Sequence, residues 1–174
     1  ISVHGYVFPI KRRLPESFFI RGADCLGWGT WKRGWDLFTP NGAKLLNEIK
    51  ARKLKWTFDF SGSYPFMKLL EKQVEGSVSS WAVRWYASAL LKDKLTLYPG
   101  RSLIFHNGSD GSGTNYSGDN ALDVKLSDRP IVLEHLLPEE DINARKAFIG
   151  YFRYAMLWHK IRYRIKCVFE GRKG

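Results

Sequence analysis

The stretch SSWAVRWYASALLKDKLTLYPG, residues 79–100, combines a helix start, a helical repeat, a short apolar run and a turn. Ser80 is a good N-cap residue, and Trp81 and Trp85 follow it four residues apart, on one face of a helix. The pattern predicts a helix as far as Leu91. The apolar run after it ends at a Pro-Gly turn and predicts a short strand over residues 95–98.

The residues before this stretch predict one strand and three more helices. Trp28, Trp31 and Trp35 recur at spacings of three and four, which would place them on one helical face. Gly76 is expected to end the third of these helices. The predicted elements are a strand over residues 1–8 and helices over residues 26–38, 42–55 and 63–75.

The residues after it predict a loop and a long helix. Residues 107–120 hold four glycines and three serines and no aliphatic side chain, which is typical of a mobile lid or of plain surface. Pro138 and the three acids after it suit the start of a helix. Residues 142–169 carry seven Lys/Arg and no acid, although residues 161–169 could also form a strand. One arc of the helix collects Arg145, Lys146, Arg153, Lys160 and Arg164, and the opposite face collects Phe148, Tyr151, Phe152, Ala155, Trp158 and Ile165.

Composition describes a basic globular chain. The 174 residues include 44% hydrophobic side chains, enough for one core, and the formal net charge is +11. Basic residues exceed acidic ones by six over residues 1–59 and by five over residues 139–174, whereas residues 60–138 are balanced. This excess points to anionic partners such as phosphates, a nucleotide or an acidic membrane surface.

The sequence lacks the patterns typical of membrane-spanning proteins, secreted proteins, zinc proteins and several classes of enzyme. No stretch of about 18 apolar residues suggests a membrane span, and residues 1–10 do not resemble a secretory signal. Cys25 and Cys167 lie far apart without metal-ligand spacing, which fits a reducing compartment and predicts no zinc site. Phosphate-binding glycine loops, HExxH, a nucleophile elbow and Asp-x-Asp are all missing, and the four histidines are scattered.

The tryptophan row leaves two interpretations open. By spacing, Trp28, Trp31 and Trp35 fit a core-facing helix better than a ligand platform. Gly27 and Gly29 favour the platform, because glycine beside an indole lets a ligand approach the backbone. The same two interpretations apply to Trp81 and its neighbours.

Five motifs in a fixed order resemble a known family. The chain is similar over residues 1 to about 130 to the C-terminal half of bacterial family-2-like sugar transferases, and more distantly to the N-acetylglucosaminyltransferase I family. The motifs are RGADCLGWGTWKRGW (21–35), FSGSYP (60–65), SWAVRWYA (80–87), LYPGRSL (97–103) and DGSGT (110–114).

The resemblance implies the acceptor-side half of a GT-A type nucleotide-sugar transferase, which is an α/β fold. Residues 1–137 would form the acceptor-side part, without the nucleotide-binding half, and residues 138–174 a basic amphipathic C-terminal helix. The complete enzyme would be inverting and would use Mg²⁺ or Mn²⁺, with no metal bound by this chain alone. Its partners would be a nucleotide-sugar donor and a glycan or lipid-linked acceptor.

The resemblance also assigns candidate site residues. It places Trp28, Trp31, Trp81 and Arg84 at the acceptor, and it places Arg101 with the loop Asp110, Gly111, Ser112, Gly113 and Thr114 at the donor phosphate, as a closing lid. Family members carry an acid just before the tryptophan that matches Trp81, where this chain has Ser79 and Ser80. Serine is a poor base near neutral pH, so Asp24 and Glu75 are further candidates for the catalytic base.

Two other classes of function are consistent with the composition. Residues 142–169 could meet an anionic membrane surface, which would place a cytoplasmic enzyme at the inner face of a membrane. Alternatively, the chain is a non-catalytic module whose basic and aromatic residues bind a membrane surface or a nucleic acid. No nucleic-acid motif is present, and we expect no nucleic-acid partner.

Overall fold

A small mixed sheet flanked by helices forms the fold. The computed structural model describes residues 1–105, 122–133 and 135–170, with side chains as far as Trp158. The elements are β1 (Ser2–His4), β2 (Ser17–Ile20), β3 (Trp28–Thr30), α1 (Lys32–Trp35), α2 (Gly42–Ala51), α3 (Lys55–Phe58), α4 (Phe66–Val74), α5 (Trp81–Leu91), β4 (Thr96–Pro99) and α6 (Ile142–Glu170).

The sheet has the strand order β2-β4-β1-β3. Strand β1 pairs in parallel with β4 and antiparallel with β3, and β2 pairs antiparallel with β4. The α/β class expected from the sequence is therefore confirmed as a mixed α/β fold. Strands β2 and β3 were not predicted.

The prediction of a helix over residues 26–38 is wrong. Trp28–Thr30 is an edge strand paired with β1, and only Lys32–Trp35 is helical. Gly27 has a φ of +52°, which interrupts a helix, and the Gly27 carbonyl accepts a 2.7 Å hydrogen bond from the Gly5 N–H. The three tryptophans therefore do not share a helical face.

The remaining helix predictions agree more closely with the structure. Helix α5 begins after Ser80, whose Oγ accepts a hydrogen bond from the Val83 N–H, and it ends at Leu91 as predicted. Helix α4 ends two residues before Gly76, which has a φ of +78°. The predicted helix over residues 42–55 is shorter, because Lys53 adopts a φ of +55° after α2.

The first turns of α6 belong to the same hydrophobic core as the sheet. Ala144, Phe148 and Phe152 are buried against side chains that include Phe18 and Tyr98. The aromatic face of this helix therefore packs on the domain over these turns. No helix in the described part of the chain is long and apolar enough to cross a membrane.

The start of α6 differs from the prediction. Asp141 caps the helix by accepting a hydrogen bond from the Ala144 N–H, so Pro138 lies outside it. Arg145 was expected in the exposed basic arc but is nearly buried and pairs with Glu140 at 2.9 Å. Glu140 also binds Arg21 at 2.9 Å. This buried carboxylate anchors α6 to the end of β2.

Candidate functional site

Four tryptophans meet where β3, α1 and α5 come together. We call Trp28, Trp35, Trp81 and Trp85 the tryptophan cluster. Ring centroids lie 5.3 Å apart for Trp28 and Trp85, 5.5 Å for Trp35 and Trp85, and 5.7 Å for Trp28 and Trp81. The sequence had offered Trp28 and Trp81 as site residues, and the fold brings those two into contact.

The tryptophan cluster has a closed base and an open outer side. Trp85 is fully buried, Trp28 is half-buried, and Trp35 and Trp81 are 44% and 43% exposed. An indole that is exposed on one side and packed on the other offers a rigid apolar surface to a ligand. The sequence motifs do not assign Trp35 or Trp85 to the acceptor site, although Trp85 follows Trp81 at helical spacing.

Trp31 lies apart from the ring contacts of the tryptophan cluster. It is exposed, and the Arg33 guanidinium lies 5.1 Å from the centroid of its ring. It lines a depression of about 280 Å³ whose other walls include Ile1, Leu37 and Lys94. The structure therefore does not join Trp31 to Trp28 and Trp81 through ring contacts.

Arg84 lies one turn after Trp81 on α5. Its Nη1 donates a 2.8 Å hydrogen bond to the Pro40 carbonyl, which fixes the guanidinium against the loop between α1 and α2. Its Nε is buried and has no hydrogen-bond partner among the described residues. Because this Nε is buried, it does not face a ligand, and what Arg84 offers beside Trp81 is a cation whose position is fixed.

Asp24 is held by hydrogen bonds from two other residues and lies beside His4. The Leu26 N–H donates to its Oδ1 at 2.9 Å, and the Tyr98 hydroxyl donates to its Oδ2 at 2.6 Å. His4 Nδ1 lies 3.4 Å from Asp24 Oδ1, and the His4 ring stacks on Tyr98 at 4.3 Å. We call His4, Asp24 and Tyr98 the Asp24 cluster.

Burial fixes the protonation of the two partners of Asp24. It lowers the pKa of His4, against the opposing effect of Asp24, and so favours the neutral imidazole. Burial and the Asp24 carboxylate together raise the pKa of Tyr98, so its hydroxyl remains a donor. The two hydrogen bonds fix the Asp24 carboxylate in place. Because 22% of the Asp24 side chain is exposed, the carboxylate still reaches solvent.

The Asp24 cluster and the tryptophan cluster share one strand pair. His4 on β1 is the register partner of Trp28 on β3. Side chains at such positions are close neighbours on one face of a sheet. His4 is therefore a common neighbour of Trp28 and of the Asp24 carboxylate.

The other three candidate bases occupy different settings. Ser80 uses its Oγ as the N-cap of α5, and Ser79 is exposed beside it. Glu75 is exposed at the C-terminal end of α4. Asp24 is the candidate whose carboxylate is oriented by a side-chain donor and a backbone donor.

The predicted donor-phosphate residues are described only in part. Arg101 donates from both Nη atoms to Glu16, at 2.5 and 2.8 Å, and from Nε to Ser127. The hydrogen bond from Arg101 is the largest of the effects that lower the pKa of Glu16 to about 2. The charge of Arg101 is therefore already paired. Asp110, Gly111, Ser112, Gly113 and Thr114 lie outside the described residues.

The described residues contain no group of three or more His, Cys, Asp or Glu side chains that could hold a metal ion. The Mg²⁺ or Mn²⁺ expected for the complete enzyme stays a prediction.

Burial raises the pKa of Cys25, which favours an unreactive thiol.

No protein-family model, curated protein or solved structure matches this chain.

Proposed function

We propose that this chain forms the acceptor side of a GT-A type glycosyltransferase, which transfers a sugar from a nucleotide-sugar to an acceptor hydroxyl. The observation that carries the proposal is the contact between Trp28 and Trp81, with His4 as the register partner of Trp28 and 3.4 Å from the fixed carboxylate of Asp24. The five motifs and their order support the same class of enzyme.

The tryptophan cluster would bind the acceptor sugar. A pyranose ring has an apolar face and a rim of hydroxyls, so it is bound by flat aromatic surfaces with a few polar groups beside them. Trp35 and Trp81 expose such surfaces, and Arg84 supplies a fixed cation on the same helix as Trp81.

Asp24 would act as the catalytic base. Its carboxylate would accept the proton of the acceptor hydroxyl as that oxygen attacks the anomeric carbon, and the nucleoside diphosphate would leave. The Tyr98 hydroxyl and the Leu26 N–H would hold the carboxylate in one orientation during this transfer. In the complete enzyme a divalent cation would neutralise the leaving diphosphate.

Saccharide binding tests the acceptor site directly on this chain. We expect tryptophan fluorescence titrations against a panel of oligosaccharides to find a ligand that protects Trp81. The variant Trp81→Ala should weaken binding of that ligand by about ten-fold or more, in line with loss of an aromatic anchor. Trp56→Ala is the matched control, because Trp56 is exposed and lies outside the tryptophan cluster. Equal losses in both variants, or no bound saccharide, would argue against the acceptor site.

Transfer assays test the chemistry. The chain would be combined with a donor-binding half and assayed with nucleotide-sugars and Mg²⁺. We expect Asp24→Asn to lower kcat by about 10²-fold or more, the range of general-base catalysis, while the KM for the acceptor stays similar. Asp36→Asn is the control, since Asp36 is exposed and pairs with Lys32. Full activity of Asp24→Asn with loss in Glu75→Gln would move the base to Glu75.

A further inference from the structure

The segment after β1 packs against α6. The ring of Phe8 lies 5.3 Å from that of Phe152 and 5.2 Å from that of Tyr151. Three residues further along, Lys11 Nζ lies 6.0 Å from the ring centroid of Tyr154. The basic turn at residues 11–13 is thereby placed beside the middle of α6, although about 140 residues separate the two segments.

This part of α6 exposes apolar side chains on one side. Tyr154, Leu157 and Trp158 are 53%, 56% and 45% exposed, and the rings of Tyr154 and Trp158 meet edge to face at 6.0 Å. Spacings of three and four residues place all three on one face of the helix. The basic-aromatic surface is defined here as Lys11, Arg12, Arg13, Tyr154, Leu157 and Trp158.

The exposed charges on the two segments that form the basic-aromatic surface have one sign. Lys11, Arg12 and Arg13 are exposed, and Arg153 is exposed next to Tyr154. Residues 1–15 and 142–169 contain no Asp or Glu. An apolar face bordered by cations without acids is complementary to a surface that is anionic outside and apolar beneath.

We propose that the basic-aromatic surface docks the protein on a bilayer that contains anionic lipids. Leu157 and Trp158 would enter the boundary between headgroups and acyl chains, and residues 11–13 would contact the lipid phosphates. An aliphatic side chain between two aromatic ones suits contact with the boundary of a bilayer. It suits contact with a nucleic acid less well, because the bases stack on free ring faces. The inference does not depend on the proposed sugar transfer.

Vesicle co-sedimentation of the full chain tests the docking. We expect the protein to pellet with vesicles of phosphatidylglycerol and phosphatidylcholine, to stay in the supernatant with phosphatidylcholine alone, and to be released by salt. Equal binding to both kinds of vesicle, or binding to neither, would overturn the proposal.

Two sets of variants locate the contact. K11E/R12E/R13E should lower the coefficient for partitioning of the protein onto the anionic vesicles about 100-fold. Each cation near an anionic surface raises that coefficient severalfold. K44E/K68E/K72E changes three exposed lysines on α2 and α4 by the same total charge, and it should lower the coefficient far less. Y154S/L157S/W158S should reduce binding at constant charge. Circular dichroism and urea unfolding would confirm that all variants fold.

Other occupants of the surface give distinct results. If both charge variants lost binding equally, general attraction by the net charge would replace docking through this surface. Binding of a single-stranded oligonucleotide without vesicle binding, abolished by K11E/R12E/R13E, would replace the bilayer with a nucleic acid. A dimer disrupted by Y154S/L157S/W158S, again without vesicle binding, would assign the surface to a second copy of the chain.

Discussion

Two aromatic regions of this molecule are built in different ways. The first joins α6 to the sheet and consists of Phe18, Phe60, Tyr98, Phe148 and Phe152, which we call the aromatic seam. All five of its side chains are buried. The tryptophan cluster buries only Trp85 and leaves Trp35 and Trp81 nearly half-exposed. One region is sealed and the other is open.

The contrast separates aromatic residues that stabilise the fold from those available to a ligand. The rings of the aromatic seam meet at 5.3–6.5 Å, many of them edge to face, as in a packed core. In the tryptophan cluster, the buried Nε1–H of Trp85 has no hydrogen-bond partner among the described residues. An unpaired buried donor costs about 1–3 kcal/mol. The exposed sides of Trp35 and Trp81, unlike the rings of the aromatic seam, remain open to a ligand.

The largest effect is expected from truncation within the aromatic seam. Phe148 is buried and contacts Phe18, Phe60 and Tyr98. We expect Phe148→Ala to lower the free energy of unfolding by about 3–5 kcal/mol, because it removes a large apolar group and leaves a cavity. Urea unfolding followed by circular dichroism measures the change. A loss below about 1 kcal/mol would show that the aromatic seam is not a sealed core.

The second largest effect on stability is expected at Glu140, whose carboxylate anchors α6. Glu140 and Arg145 are about nine-tenths buried, and Arg21 also binds Glu140. We expect Glu140→Gln to cost about 3 kcal/mol, because it leaves two cations without their buried partner. Asp93→Asn is the control: Asp93 pairs with Arg21 at an exposed position, and its loss should cost less than about 1 kcal/mol. Similar costs for both variants would contradict a buried anchor.

Local sequence signals account for the helices that were predicted well. Ser80 and the spacing of Trp81 and Trp85 define α5 without help from distant residues, and Gly76 marks the end of α4. The short strands β2 and β3 have no comparable local signal. Strand β2 is defined by its pairing with β4, about 80 residues away, and such pairings are not encoded in a four-residue pattern.

The candidate site was predictable in part. The motifs indicated Trp28, Trp81 and Asp24 as separate candidates, but spacing placed Trp28 in a helix with Trp31. The side-chain donor that holds Asp24 is Tyr98 in β4, and His4 in β1 stacks on the Tyr98 ring, an arrangement that only the sheet brings together. Neither His4 nor Tyr98 belonged to a recognisable catalytic spacing, so the sequence could not indicate their role.

The Asp24 cluster is expected to make stability depend on pH. Burial lowers the pKa of His4, so the unfolded chain binds a proton more readily than the folded one. The free energy of unfolding should therefore fall as pH decreases from about 7.5 through about 6.5, the usual pKa of histidine. His4→Phe keeps a ring against Tyr98 and should reduce this slope. Glu16 contributes nothing in this range, because its pKa of about 2 in the folded chain and its ordinary value of 4.5 in the unfolded chain both lie well below this pH range. Identical slopes for the two proteins, in urea unfolding at matched pH values, would contradict a buried neutral His4.

The smallest effect on stability is expected in the tryptophan cluster. Trp81 is the first residue of α5 and contacts Trp28 and Trp35 on one side only. We expect Trp81→Ala to lower the free energy of unfolding by about 1 kcal/mol, because a half-exposed ring removes less apolar area from water than Phe148 does. Urea unfolding measures this change on the same scale as for Phe148→Ala. A variant that keeps most of its stability and loses saccharide binding would separate an open, ligand-facing region from the sealed seam. A cost near that of Phe148→Ala would instead make Trp81 part of the core and remove the physical basis for the acceptor site.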